Sequence, residues 1–356
     1  MSTYTKIDGV AAADILKVSG VGAVDIMKVS GVSKPTDATA TRWMAGAAQG
    51  KIFQCDNANA SATGDGWFEA DDVGAGNLKG IAFGEDAAGN KQWYVHSTNT
   101  AQELSYAAYG SEDDWTNINV GDNYGAVDGG PSLAWGNGYW VCATDDFGSD
   151  EIVIIASGSA DWAAIDVGNT TNDTGRAAAY KDGTTFFMSV QDQIWKTTAD
   201  PAVPGNWSLE VDLADSQDIL AMAYDGSGTW VCVGANGEVH SSDDDWATAT
   251  PRTGQHGSDT IRGVVYCGGT VNKWIAVGNS GKISHSPDGT TWTAVPSSGT
   301  AVALQAIATD NTTIVAVGAS GTILTSTDAV NWSTVTTSFS TTLFSVACDI
   351  IGSGMR

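Results

Sequence analysis

Positive charge is scarce in this chain. Sixteen Lys and Arg stand against 41 Asp and Glu, a formal net charge of −25 over 356 residues. A surface that tracks phosphates needs clustered basic side chains, so nucleic acid is not an expected partner. Long apolar runs are also missing. No window approaches the roughly 18 residues of a spanning helix, and Asp8, Asp14, Asp25 and three lysines interrupt the first thirty residues, where a secretion signal would lie. Neither membrane insertion nor export by a signal peptide is expected. Cysteine is sparse and odd in number. Cys55, Cys142, Cys232, Cys267 and Cys348 show no CxxC pairing, and four of them lie in apolar strand-like runs such as WVCAT and WVCVG, where a reduced thiol acts as a small hydrophobe. A disulfide framework is not expected, which fits assembly in a reducing cytoplasm.

What is abundant is glycine (43) and tryptophan (14), with only 16% charged residues and 42% apolar ones. That balance describes a turn-rich β protein. The tryptophans recur. Small polar or acidic residues lead into Trp67, Trp115, Trp162, Trp207, Trp246, Trp292 and Trp332, at spacings of 48, 47, 45, 39, 46 and 40 residues. This is the period of a four-stranded propeller blade. Two further series run in step with the first. One is a small-residue strand starting near Leu78, Pro131, Arg176, Ile219, Ile261, Leu304 and Leu343. The other is an apolar strand at Trp43, Trp93, Tyr139, Phe186, Trp230, Trp274 and Ile314. Each series has seven members.

The phase of the series predicts how the ring closes. The first unit begins at the second type of strand, and the chain ends on an unpartnered strand of the first type, residues 343–348. Placing that strand innermost in the first blade completes the set and removes exposed edges. The expected fold is therefore all-β: a seven-bladed β-propeller of four-stranded blades over residues 39–356, closed by the C-terminal strand. Alternation within IAVGNSGKISHS predicts period-2 strands buried between blades.

The segment Ser286-Pro287-Asp288-Gly289-Thr290-Thr291-Trp292 matches S-x-D-G-x-T-W in full, and Ser326 to Trp332 keeps its Ser, Asp and Trp. Here the chain resembles the Asp-box, or bacterial-neuraminidase, repeat family, and the sevenfold count is similar to the photosystem-assembly and xyloglucanase-type propellers. The resemblance implies that Asp288 and Asp328 serve hairpins at the ring's periphery. Their chemistry agrees, since an Asp or Ser side chain bonds nearby amides in a tight turn and the following Trp packs between blades.

A sialidase would need three convergent arginines. The chain has only Arg42, Arg176, Arg252, Arg262 and Arg356, and the F/Y-R-I-P segment of that family is absent. Arg176 and Arg262 alone begin inner strands at the ring mouth. A hydrolase pair of carboxylates could arise by chance among 41 acids. Of His96, His240, His256 and His285, His240 and His285 occupy equivalent repeat positions just before the Ser of their boxes and so fall far apart, and no histidine metal site is expected. The clusters Asp71-Asp72, Asp145-Asp146 and Asp243 to Asp245 lack calcium-loop spacing and read as a solvated face. No catalytic, cofactor-binding or metal residue is assigned, and the chain is expected to be no enzyme. The stretches following each motif Trp carry twelve acids and one base, Arg252, all twelve in the first five stretches. This predicts an acidic arc on one face, a contact surface for a protein or cation.

Residues 1–38 form a separate segment. KIDGV (6–10), KVSGV (17–21) and KVSGV (28–32) repeat every eleven residues. Glycine and β-branched valine in every copy favour short turns or strands over helix. This segment resembles the N-terminal repeats of structural proteins from marine tailed phages. That implies an attachment role for Lys6, Ile7, Val10, Lys17, Val18, Val21, Lys28, Val29 and Val32, with other virion proteins or a further copy of this chain as partner. The expected function is a non-enzymatic structural component of a tailed-phage virion (tail, fibre, collar or capsid surface). It would be made in the host cytoplasm and display a propeller toward a protein or a host-surface receptor or glycan. The alternatives are a carbohydrate-binding or glycoside-hydrolase or sialidase-like propeller, and a cellular assembly factor.

Overall fold

The computed structural model describes residues 6–7, 10–11, 41–55, 66–74, 76–86, 88–98, 104–110, 112, 114–118, 133–143, 152–156, 163–165, 175–213 and 217–350. The chain divides into two units, Met1–Ala40 and Thr41–Arg356. In the first, Lys6–Ile7 pairs antiparallel with Val10–Ala11, so the first eleven-residue copy holds short strands. Lys17, Val18, Val21, Lys28, Val29 and Val32 lie outside the described residues.

In the second unit the described strands form seven four-stranded antiparallel sheets. Six follow chain order, with first strands Leu78–Glu85, Leu133–Gly136, Gly175–Tyr180, Ile219–Tyr224, Ile261–Cys267 and Leu304–Thr309. The remaining sheet is assembled from both ends of the unit. Leu343–Cys348 comes first, followed by Trp43–Ala47, Lys51–Cys55 and Phe68–Asp72. Trp43 stands opposite Cys348 and Ala47 opposite Leu343. Each first strand lies beside the first strand of the next sheet, and Leu343–Cys348 lies between those beginning at Leu78 and Leu304. The first strands therefore line a closed ring, with each sheet running outward from it.

The second strands carry the core. Phe186–Val190, Trp230–Gly234 and Ile314–Gly318 are buried at every position, because a central strand in a sheet covered on both faces has no side left for water. The alternation expected in IAVGNSGKISHS is for that reason not seen in burial: all of Trp274–Gly278 is buried. Among the described residues, five of the six fully buried tryptophans, Trp43, Trp93, Trp140, Trp230 and Trp274, belong to these strands. Of the motif tryptophans, Trp246 is fully buried and Trp67, Trp207 and Trp292 nearly so, while Trp115 and Trp332 are half-buried. Trp162 lies outside the described residues.

Small residues in the first strands let neighbouring sheets approach. A Cβ on Gly84 would come within 2.4 Å of the Trp135 ring, and one on Gly136 within 2.3 Å of Tyr180. Each glycine is the seat for an aromatic ring of the following sheet. The Trp135 indole N–H also donates to the Glu85 carbonyl at 2.9 Å.

Closure by Leu343–Cys348 has a measurable consequence. A chain ending at residue 342 would leave the edge of Trp43–Ala47 unpaired. It should melt lower than the full chain and self-associate in light scattering. A truncated monomer of unchanged melting temperature would contradict this account.

Candidate functional site

Two ends of the ring carry different chemistry. At one end lie the turns that hold Asp288 and Asp328. In Ser286 to Trp292, the Ser286 hydroxyl donates to Asp288 Oδ1 at 2.9 Å. The same carboxylate oxygen accepts the amides of Thr290 and Thr291 at 2.8 and 2.7 Å. Gly289 takes φ +72°, and its carbonyl accepts the Trp292 indole N–H at 3.2 Å. Asp328 repeats the arrangement with Ser326 and the amides of Val330 and Asn331. Desolvation pulls the Asp328 carboxyl upward, but the Asn331 amide and side chain outweigh it and hold the group at about 2. Asp288 lies well below the usual carboxylate range for the same reasons: desolvation opposed and exceeded by the Thr291 and Thr290 amides. In the shorter box, Asp244 bonds Ser242 and Thr248.

The boxes are not purely local. Asp245, expected on a solvated face, is half-buried and accepts Lys181 Nζ of the preceding sheet at 2.7 and 2.9 Å and the Trp230 indole N–H at 3.0 Å. Lys273 Nζ likewise reaches the Asp328 carbonyl of the following sheet at 2.9 Å. Sequence reasoning missed these bridges because the partners are 55 or more residues apart. It also missed a second set of turns at the same end, between first and second strands, where Asp86, Asp225 and Asp310 accept local amides. The aspartate after an Ala-rich strand was a readable signal for them.

The other end holds the ring mouth. Six first strands carry a β-bulge at the same place, opposite the end of the second strand. The residues set into the bulges are Lys79, Arg176, Leu220, Arg262, Gln305 and Phe344. A bulge re-aims a side chain out of the ladder, and here it gives one rim three cations. Arg176 pairs with Asp218 of the next sheet at 3.1 Å. Arg262 Nε donates to Asn279 Oδ1 at 2.9 Å. Lys79 Nζ lies 4.2 Å from the centre of the Phe344 ring. Arg176 Nε is buried without a hydrogen-bond partner among the described residues.

The expected acidic arc changes character in the structure. Glu69, Asp71, Asp72, Glu210 and Asp212 belong to outermost strands rather than connecting loops. Lys51 meets Glu69 at 2.8 Å and Asp72 at 3.8 Å, Lys196 meets Glu210 at 3.5 Å, and Lys282 meets Asp259 at 2.9 Å. Counting connections alone had omitted these cations: Lys51 starts a third strand and Lys282 precedes one on the same end, while Lys196 lies near the far end of its third strand. Asp122, Asp128, Asp166, Asp173, Asp215 and the pair Asp145-Asp146 lie outside the described residues.

The histidines do not come together. His96 is wholly buried and pushed down to about 4 by burial. His256 is held at about 4, first by burial and then by Lys282, with Nε2 3.1 Å from Ser284 Oγ. His240 Nε2 meets Glu238 at 2.5 Å, and His285, lowered chiefly by burial, is in another sheet. Among the described residues no group of three or more His, Cys, Asp or Glu is placed to hold a metal ion. Among the same residues no helix is long and apolar enough to cross a membrane.

The architecture has many solved counterparts. The chain is similar to the WD40 beta propeller domain of Doa1, at 11% identity and TM-score 0.55, covering 84% of this chain and 89% of that one. The fold is a β-propeller. YCF48 bound to D1 peptide matches this propeller at 15% identity and TM-score 0.56, over 85% and 95% of the two chains. The GH74 xyloglucanase from Xanthomonas campestris matches at 14% and 0.57, over 73% of this chain and 45% of the enzyme. No family model matches the chain, and no curated protein does. The propeller neighbours include protein-binding members and an enzyme, so the likeness carries the fold alone.

Two outcomes follow from these contacts. Trp292→Ala should cost about 3–5 kcal/mol in urea unfolding, as a core truncation, and Asp288→Ala about 1 kcal/mol, the scale of a lost capping bond. Equal and negligible costs would remove the box from the account of blade stability. The second outcome concerns pH. His96 and His256 are neutral in the fold down to about 4, whereas unfolded histidine binds a proton near 6.5. The unfolded chain therefore holds more protons between these values, and stability is full above about pH 6.5 and falls toward pH 4. Unfolding free energy should drop by about 3 kcal/mol for each histidine over that window, and His96→Gln with His256→Gln should flatten the profile.

Proposed function

We propose that this chain is a non-enzymatic binding module, a structural component of a tailed-phage virion whose ring is displayed for contact with a protein. The observation that carries the reading is how the ionisable side chains are used. Asp244, Asp288 and Asp328 are committed to turns, Asp245 to a bridge between blades, and Asp218 and Asp259 to ion pairs with Arg176 and Lys282. These are architectural roles. Contact is assigned to the mouth, where bulges set the cationic Lys79, Arg176 and Arg262, the polar Gln305 and the apolar Phe344 around one rim. A neighbour of the same fold bound to a peptide supports protein contact as a use of this scaffold.

Attachment is assigned to residues 1–38. Three copies of K-[IV]-x-G-V are too short to build a core of their own and leave their apolar residues to be covered by a partner. Their lysines put positive charge at one end of a chain of net charge −25, which favours an acidic neighbour, including a second copy. A chain beginning at residue 38 should fold with the same circular dichroism and melting temperature yet fail to enter virus particles. Incorporation equal to that of the full chain would remove the attachment role.

The carbohydrate-active alternative draws on the xyloglucanase likeness and on Arg176 and Arg262 at the rim. Purified protein should show no turnover on a panel of polysaccharides and sialosides. Turnover abolished by Arg176→Ala or Arg262→Ala in a folded protein would favour the enzyme instead.

A further inference from the structure

In three blades the first and second strands are joined by the same turn. Asp225 follows the strand Ile219–Tyr224. Its amide donates to the Thr229 carbonyl at 3.1 Å, and its Oδ1 accepts the Thr229 amide at 2.9 Å. Asp310 and Thr313 repeat both bonds, at 3.2 and 2.6 Å, as do Asp86 and Asn90, at 2.8 and 2.8 Å. In the closing blade Asp349 follows the strand Leu343–Cys348 in the same way. Its amide donates to the Arg42 carbonyl at 2.9 Å, and its Oδ1 accepts the Arg42 amide at 3.0 Å. Arg42 stands where Thr229 stands, but 307 residues away in sequence. The closing blade keeps the hairpin with its chain cut.

The cut is bridged from the neighbouring blade. The Arg42 guanidinium is buried against Glu112 and bonded to it. It also lies 4.9 Å from the centre of the Tyr109 ring. The Tyr109 hydroxyl donates to Asp349 Oδ2 at 2.8 Å. Glu112 is itself fixed by the Gly110 amide at 2.8 Å, and its carbonyl accepts the Trp115 indole N–H. Entry strand, exit strand and the adjacent blade thus meet at one cluster of four side chains: Arg42, Tyr109, Glu112 and Asp349. A buried ion pair with one partner removed is strongly destabilising, so this cluster holds what a covalent turn holds elsewhere.

We propose that Arg42, Glu112, Tyr109 and Asp349 form a latch, and that the ring opens and closes at this seam by release of residues 343–349 while the other blades stay folded. Every other first strand is tied to its second strand by a short chain link. Only here does separation cost no more than non-covalent contacts, which makes this strand a unit of local opening. The open form presents the backbone edge of Trp43–Ala47 to a further strand.

Native-state hydrogen exchange on the full chain tests the latch. Amides in 43–47 and 343–348 should exchange faster than those in 273–278, which sit in an intact blade. In Glu112→Gln the seam amides should speed up by at least about tenfold while 273–278 stay within about twofold. Tyr109→Phe removes one hydroxyl and serves if Glu112→Gln does not fold, with the same selective acceleration at the seam. Seam and control amides exchanging through one common opening in all forms would overturn the proposal. So would seam exchange that is unchanged in every variant that folds.

Discussion

Leu343–Cys348 pairing with Trp43–Ala47 is the contact on which the remaining geometry depends. Each blade buries both faces of its sheet against neighbours, so a blade at an open end would leave one face and one strand edge wet. A ring has no ends. Closure is what allows Phe186–Val190, Trp230–Gly234 and Ile314–Gly318 to be apolar at every position. The pairing joins residues about 300 positions apart, so the entropy of bringing them together must be offset by packing elsewhere in the ring. The aromatic rings of Trp135 and Tyr180, set on Gly84 and Gly136, show how closely that packing is fitted.

The acidity of the chain has a structural use at one end of the ring. Aspartates there accept amides in the hairpins after the first strands and in the box turns after the third. A carboxylate that accepts two or three amides stays charged far into acid. A high aspartate count and a well-turned ring are thus two aspects of one solution. Two of the scarce lysines bridge blades, Lys181 to Asp245 and Lys273 to the Asp328 carbonyl, while Lys51 and Lys196 pair within their own sheets. This placement joins electrostatics to architecture more than to any partner.

The opposite end differs because bulges, not turns, shape it. A bulge at one register position in six first strands turns a repeat position into a rim. The rim residues differ from blade to blade (Lys79, Arg176, Leu220, Arg262, Gln305, Phe344), whereas the buried residues around them are alike in kind.

The strand series, the box at Ser286 to Trp292 and the place of the last strand were legible in the sequence, because each rests on local periodicity or on turn chemistry within seven residues. Residues 343–348 announced their partner by being a first strand with no second strand after it. Legibility ended where long-range contact begins. Nothing local marks Asp245 as the partner of Lys181, Glu112 as the buried partner of Arg42, or Lys51 and Lys282 as neighbours of acids on the connecting end. The acidic arc was only partly legible for the same reason, since charge counted along connections leaves out Lys51 and Lys282, which reach its acids from other parts of the ring. Which tryptophans lie deepest was also a tertiary decision. The motif spacing singled out Trp115 and Trp332, yet Trp43, Trp93 and Trp274 are more buried, because burial is set by how many sheets surround a strand and not by how regularly its residues recur.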